Sequence, residues 1–172
     1  SGSVASVGFD MFCSMLDEAV HELRGDEVVH EVDPELSFDV TALLPEDYVA
    51  DVGLRLSLYK RLASAEDEGE VADLAQEIEE RFGPPPEDTK RLVRLMTVKT
   101  ELRRMRALGC EASTSMVTLH LREDTPLDPE KILELVKKRE SPYRLTPDMR
   151  LSRRFGTQNG LVNVERMLED LR

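Results

Sequence analysis

The sequence predicts an α+β fold, a helical layer with a small antiparallel sheet. Three observations predict it. Between Val52 and Ala107, apolar residues recur at helical spacing through three successive stretches. Around Leu36–Val40 and again around Val117–Leu121 they alternate with polar residues, as on a half-buried strand. A short hairpin pattern and a last amphipathic stretch follow, so helices come first and strands mixed with helices come after.

The elements follow in order. Phe9, Phe12, Leu16, Ala19, Val20 and Leu23 share one face of an opening helix, ended by Gly25 and Asp26. An acidic connector leads to a strand in which Leu36, Phe38 and Val40 alternate with Ser37, Asp39 and Thr41. Val52, Leu56, Tyr59 and Ala63 form the expected inner face of the next helix, widened by Leu58 and Leu62. Ser64 with Asp67 three residues on resembles a capping box, Asp standing for Glu. The helix behind it buries Val71, Leu74, Ala75, Ile78 and Phe82, and Gly83-Pro84 stops it. Pro86 opens the following helix, with Glu87 and Asp88 at its positive end. That helix is expected to reach Ala107 and stop at Gly109.

A short strand at Cys110–Ala112 pairs with Val117–Leu121. Asp128 caps a helix begun by Pro129 and continued by Ile132, Leu133 and Val136. Tyr143–Leu145 and Met149–Ser152 form a hairpin turned at Thr146-Pro147-Asp148, and Leu161–Leu171 a final helix. The domain reading is a helical arm over 1–26, a linker over 27–35 and an α+β domain over 36–172.

Composition narrows the function. The 172 residues suffice for a proper core, built without tryptophan. A net charge of −12 opposes autonomous binding to nucleic acid or an anionic membrane, although a local basic face is compatible with it. Cys13 and Cys110 have no framework spacing, which fits a reduced, cytoplasmic protein. No stretch reads as a membrane span or a signal peptide. The chain opens Ser1-Gly2-Ser3 without methionine, as a tag scar or a domain cut from a longer protein would.

Catalytic, cofactor and metal motifs are not found. No glycine is followed by lysine, so the phosphate-binding loop of a nucleotide motor is missing from this sequence. His21, His30 and His120 stand far apart and in no ligand spacing with the cysteines. A Cys110–His120 nucleophile pair would need an orienting group and an oxyanion site, and neither is marked.

Charge is more informative. Glu70, Asp73, Glu77 and Glu80 stack on one helix face away from Val71, Ala75 and Ile78. Such a run is ordinarily solvated or paired with a neighbouring helix, yet four like charges repel one another and suit a partner carrying arginines. The next helix is basic, with Lys90, Arg91, Arg94, Lys99, Arg103, Arg104 and Arg106. These residues are the alternative, a nucleic-acid-contacting helix over 90–106, but no aromatic residue interleaves them to stack bases.

Arg55-Leu56-Ser57-Leu58-Tyr59-Lys60-Arg61-Leu62-Ala63, then Arg81-Phe82-Gly83 with Pro86, resembles the C-terminal domain of bacterial transcription-repair coupling factors. Leu43-Leu44-Pro45-Glu46-Asp47-Tyr48-Val49 before the block, and Asp128-Pro129-Glu130-Lys131 and Tyr143-Arg144-Leu145 after it, occur in the family's order. Val7-Gly8-Phe9-Asp10 resembles the family's junction between the translocase module and the last domain. The chain departs from the pattern at Met149, where the family's turn often carries glycine, and matches only a generic helix after Phe155.

The resemblance implies a non-catalytic, autoinhibitory regulatory domain of a DNA translocase that displaces stalled RNA polymerase and recruits excision repair. It implies docking on a UvrB-like module of the same polypeptide, masking of the UvrA-binding surface and restraint of a RecG-like motor. ATP and Mg belong to that motor, which would lie outside this segment. In the family, acids just before Arg-Phe-Gly face the UvrB-like module; here those positions are Glu77 and Glu80.

Overall fold

A computed structural model describes residues 33–156 and 158–172. The helix expected at 7–23, the arm over 1–26 and most of the linker over 27–35 lie outside them. The described residues divide into two units, one formed by 41–100 and the other by 33–40 with 101–172.

The first unit is helical. Helix α1 spans Val52–Ala63, α2 spans Glu68–Phe82, and α3 spans Glu87–Arg104, its last turn belonging to the second unit. Asp51 begins α1, its carboxylate accepting from the Leu54 N–H. The buried stripe of α1 differs from the expected one: Leu58 and Leu62 are buried, whereas Val52 and Leu56 stand 58% and 41% exposed. Its apolar residues spread over two adjoining stripes, Val52-Leu56-Tyr59-Ala63 and Leu58-Leu62, so its own periodicity does not choose between them. Polar bonds from its other residues to the loop before it make the choice.

Ser64 closes α1 rather than opening α2, its hydroxyl donating to the Lys60 carbonyl at 2.7 Å. The cap of α2 is Asp67, which accepts from the Glu70 N–H at 2.9 Å, while Glu70 reaches back to the Glu66 N–H at 2.8 Å. The reciprocal pattern is that of a capping box moved three residues along. Val71, Leu74 and Ile78 then bury one face of α2, beside Leu92, Leu95 and Met96 of α3 in the same unit's core. Each such side chain contributes about 1.5–3 kcal/mol on burial. Pro86 precedes α3 by one position and lends its carbonyl to the Thr89 and Lys90 N–H groups.

The second unit is a five-stranded sheet with helices. Its strands are β1 (Glu35–Phe38), β2 (Ala107–Ala112), β3 (Met116–Leu121), β4 (Tyr143–Leu145) and β5 (Arg150–Arg154), in the order β1-β2-β3-β5-β4. The fold is α+β, and its sheet is mixed: β1 runs parallel to β2, while the other neighbours are antiparallel. A parallel neighbour needs a long crossover, here the entire stretch between Phe38 and Ala107. The chain leaves α3 sooner than expected, turning at Arg106 in the left-handed region (φ 54°), so Ala107 and Gly109 are already in β2.

Register aligns Leu36, Cys110, Leu119, Leu151 and Leu145 across all five strands on one face. On that side lie the buried Val117, Leu119, Leu121 and Leu151, and the buried Leu161, Val164, Met167 and Leu168 of α5 (Gly160–Leu171) complete the core. Asn159 caps α5 through the Val162 N–H. Helix α4 (Pro129–Lys137) is capped by Asp128 as expected, but buries Ile132 and leaves Leu133 45% exposed.

Two backbone details explain residue choices. A Cβ on Gly160 would lie 2.9 Å from the Ala112 carbonyl oxygen, so only glycine fits where α5 meets β2. Met149 sits at φ 62°, in the turn where the sequence departs from glycine.

Candidate interaction surface on the helical unit

The most recognisable sequence blocks hold the scaffold. The loop 43–49 runs against the helices without regular structure, so its polar groups need side-chain partners. Tyr59 supplies one, its hydroxyl accepting from the buried Leu44 N–H at 2.6 Å. Arg55 donates to the Val49 carbonyl at 2.8 Å. Leu43 exchanges backbone contact with α3, donating to the Asp88 carbonyl at 3.2 Å and accepting from the Thr89 hydroxyl at 3.2 Å. Tyr48 donates to the Gly83 carbonyl at 2.7 Å and meets Phe82 edge-on, ring centroids 5.9 Å apart. Burial, reinforced by the charge of Glu79, pushes the Tyr48 hydroxyl pKa up and keeps it a donor. Gly83 stops α2 at φ 85° and ψ −172°, an extended positive-φ conformation open essentially to glycine alone, rather than the left-handed helical one expected.

Arg81-Phe82-Gly83 therefore fixes where α2 ends and which way its outer face turns. That face carries the four expected acids. Glu70, Asp73 and Glu80 are exposed and Glu77 is half-buried, while Val71, Leu74 and Ile78 face inward. The four carboxylates have different roles. Glu70 is tied to the Glu66 N–H. Glu77 pairs with Arg61 of α1, whose hydrogen bond, with its charge, lowers the Glu77 pKa. Glu80 accepts from Gln76 at 2.9 Å. Asp73 has no ion pair or hydrogen-bonded partner for its side chain among the described residues.

Asp73, Glu77 and Glu80 thus run along the outer side of α2 from its middle to its end, with Glu77 held by Arg61. A surface pair of this kind is worth about 0–1 kcal/mol, so an incoming guanidinium can replace Arg61 at little cost. Arg61 was not singled out from sequence. Its signal was its place in the last turn of α1, in a chain whose next helix is acidic.

The alternative basic helix looks different. Lys90 pairs with Glu87 at 2.8 Å, Arg91 with Asp88, Arg103 with Asp33 at 2.7 Å, and Arg106, which lies beyond α3, with Asp124 at 2.8 Å. Lys99 is buried. Each of these four cations is paired with an acid, which reduces the net positive charge that the stretch 90–106 offers a phosphate backbone.

Cys110 is fully inside the sheet core, and burial, aided by Glu111, pushes its thiol far above the ordinary range. It is no thiolate nucleophile. Its strand places Gly109, not Cys110, opposite His120. Among the described residues no cluster of His, Cys, Asp and Glu is arranged to hold a metal ion, and no helix is long and apolar enough to cross a membrane.

Comparison with known proteins agrees with this geometry. The sequence profile of the TRCF domain matches residues 38–132. A transcription-repair-coupling factor of Myxococcus xanthus is 37% identical over 175 residues, covering 99% of this chain and 15% of that protein. The Haemophilus influenzae transcription-repair-coupling factor is 29% identical over 177 residues, covering 100% of the chain and again 15% of the relative. The chain thus spans about 15% of the length of these relatives. A crystal structure described as the C-terminal domain of transcription-repair coupling factor superposes with a TM-score of 0.64 at 18% identity, covering 81% of this chain and 94% of that one. At that identity it shows a shared fold.

Proposed function

This chain belongs to the TRCF domain family, and from that premise we propose that it is a non-catalytic regulatory domain of a transcription-repair coupling DNA translocase. In this reading the outer face of α2 docks on a basic surface of the UvrB-like module of the same polypeptide. Docking masks the UvrA-binding site and restrains the ATP-driven motor; release opens the way to DNA repair. The supporting observation is the outward face of α2, where Asp73 in the middle and Glu80 near the end are exposed and Glu77 stands between them.

The capped start at Asp67 and the Gly83 stop hold this face as one rigid row. A partner arginine takes over Glu77 from Arg61 and gains Glu80 as a second acceptor, the arrangement in which charge-assisted bonds are strongest. The latch works if docking differs between motor states, and a coupling of about 1–3 kcal/mol shifts UvrA access several-fold or more.

Reversing Glu77 and Glu80 to lysine in the full-length protein tests this. UvrA binding and basal ATPase rise together if the face is the latch. Both remain at the unmodified level, with the domain folded, if it is not.

A further inference from the structure

A second charged surface lies in the sheet unit, where no single helix or loop carries it. Residues 137–154 hold seven Lys or Arg against two Asp or Glu, in a chain whose net charge is −12. The face of the sheet opposite the apolar core has the row Ser37, Glu111, Thr118, Ser152 and Arg144 in register across its strands. None of those residues is buried. Ser152 is hydrogen-bonded to Thr118 at 3.0 Å, which fixes the middle of the row.

Arg150 and Arg154 lie two residues either side of Ser152 and so point to the same side as Arg144. Diagonal neighbours on adjacent strands stand about 7–8 Å apart, which places three guanidinium groups around one open patch. Arg150 shares Asp148 at 3.1 Å. Arg144 and Arg154 are exposed and have no carboxylate partner among the described residues. Met116, 43% exposed, sits directly opposite Arg154 and adds an apolar spot.

We propose that this β5–β4 half of the open sheet face docks an acidic segment of a protein partner. Two observations select that occupant over a nucleic acid. The patch has no Phe, Tyr or Trp to stack a base, and the one ring on this face of its strands, His120, is half-buried opposite Arg150. Glu111 stands two strands away from Ser152 on the same face, so the cationic area is too narrow for a long polyanion, which would meet repulsion beyond it. Two or three carboxylates spaced along a short segment instead fit the arginine forks pairwise, with Met116 receiving an apolar neighbour.

The test uses the full 172-residue chain and a fluorescein-labelled decaglutamate peptide, followed by anisotropy at two salt concentrations. The unmodified chain binds, and more weakly at the higher salt. Arg144→Glu with Arg154→Glu lowers the affinity by about tenfold or more, while the circular dichroism melt shows the fold retained. Arg166→Glu, an exposed charge on α5, leaves binding within about twofold and separates this patch from general charge attraction. Failure of the unmodified chain to bind, or equal binding by the double variant, overturns the proposal. So does retention of a 20-nucleotide single strand or duplex where the peptide is not retained, which assigns the patch to nucleic acid.

Discussion

The two units handle charge in opposite ways. In the helical unit, arginine and tyrosine side chains satisfy the backbone of an irregular loop, and acids line the outer face of one helix. Arg55 and Tyr59 serve Val49 and Leu44, and Tyr48 serves Gly83. In the sheet unit the loops are short and strand pairing satisfies most of the backbone, so Arg144 and Arg154 are left for the open face. The contrast separates two kinds of conspicuous residue. Those that hold the chain's own backbone are architectural however distinctive they look, whereas charges without such work are the ones available to a partner.

The comparison can be broken at its structural end first. Gly160→Ala forces its Cβ against the Ala112 carbonyl. It should cost about 1–3 kcal/mol, since a backbone has to move. A urea melt of the chain reads this directly; an unchanged midpoint would mean that α5 and β2 do not approach so closely.

The next effect sharpens the distinction inside the helical unit. Tyr59→Phe removes the acceptor of the buried Leu44 N–H and should lose about 1–2 kcal/mol. Glu77→Lys with Glu80→Lys, on the outer face, should lose less, about 0–1 kcal/mol, chiefly through the Arg61 pair. Equal losses in the two thermal melts would place the acids among the scaffold residues and remove the reason for treating them differently.

The smallest effect concerns Glu140, exposed and in the left-handed region at φ 58°. Glu140→Gly relieves that conformation and should raise stability by about 0.5–1 kcal/mol. A lower melting temperature would show that this turn is held by something other than its backbone angles.

Much of this was legible before the structure. The acidic row could be read because four residues on one helix share a face by spacing alone. The caps at Asp51 and Asp128 and the stop at Gly83 were equally local, the latter two read as such from sequence. The inner face of α1 was not legible, because Val52, Leu56, Leu58 and Leu62 offer two stripes and the loop 43–49 decides between them. Ser64 and Asp67 both look like caps, and only the distance of Asp67 from the Glu70 N–H settles which one is. The basic patch was hidden for a related reason. Arg144, Arg150 and Arg154 are brought together by strand register, and register is not written in any one segment. The neighbourhood of β1 and β2 depends on a crossover through the whole helical unit, for which no local pattern exists.

The central claim is that Glu77 and Glu80 hold this domain against the rest of its polypeptide. Energy transfer between one dye on an exposed position of the domain and another on the UvrB-like module of the full-length protein measures docking itself, before any effect on ATPase or repair. High transfer in the resting protein should fall sharply with Glu77→Lys and Glu80→Lys, and Arg61→Ala should preserve or raise it. Transfer that stays high in the double reversal would contradict the claim.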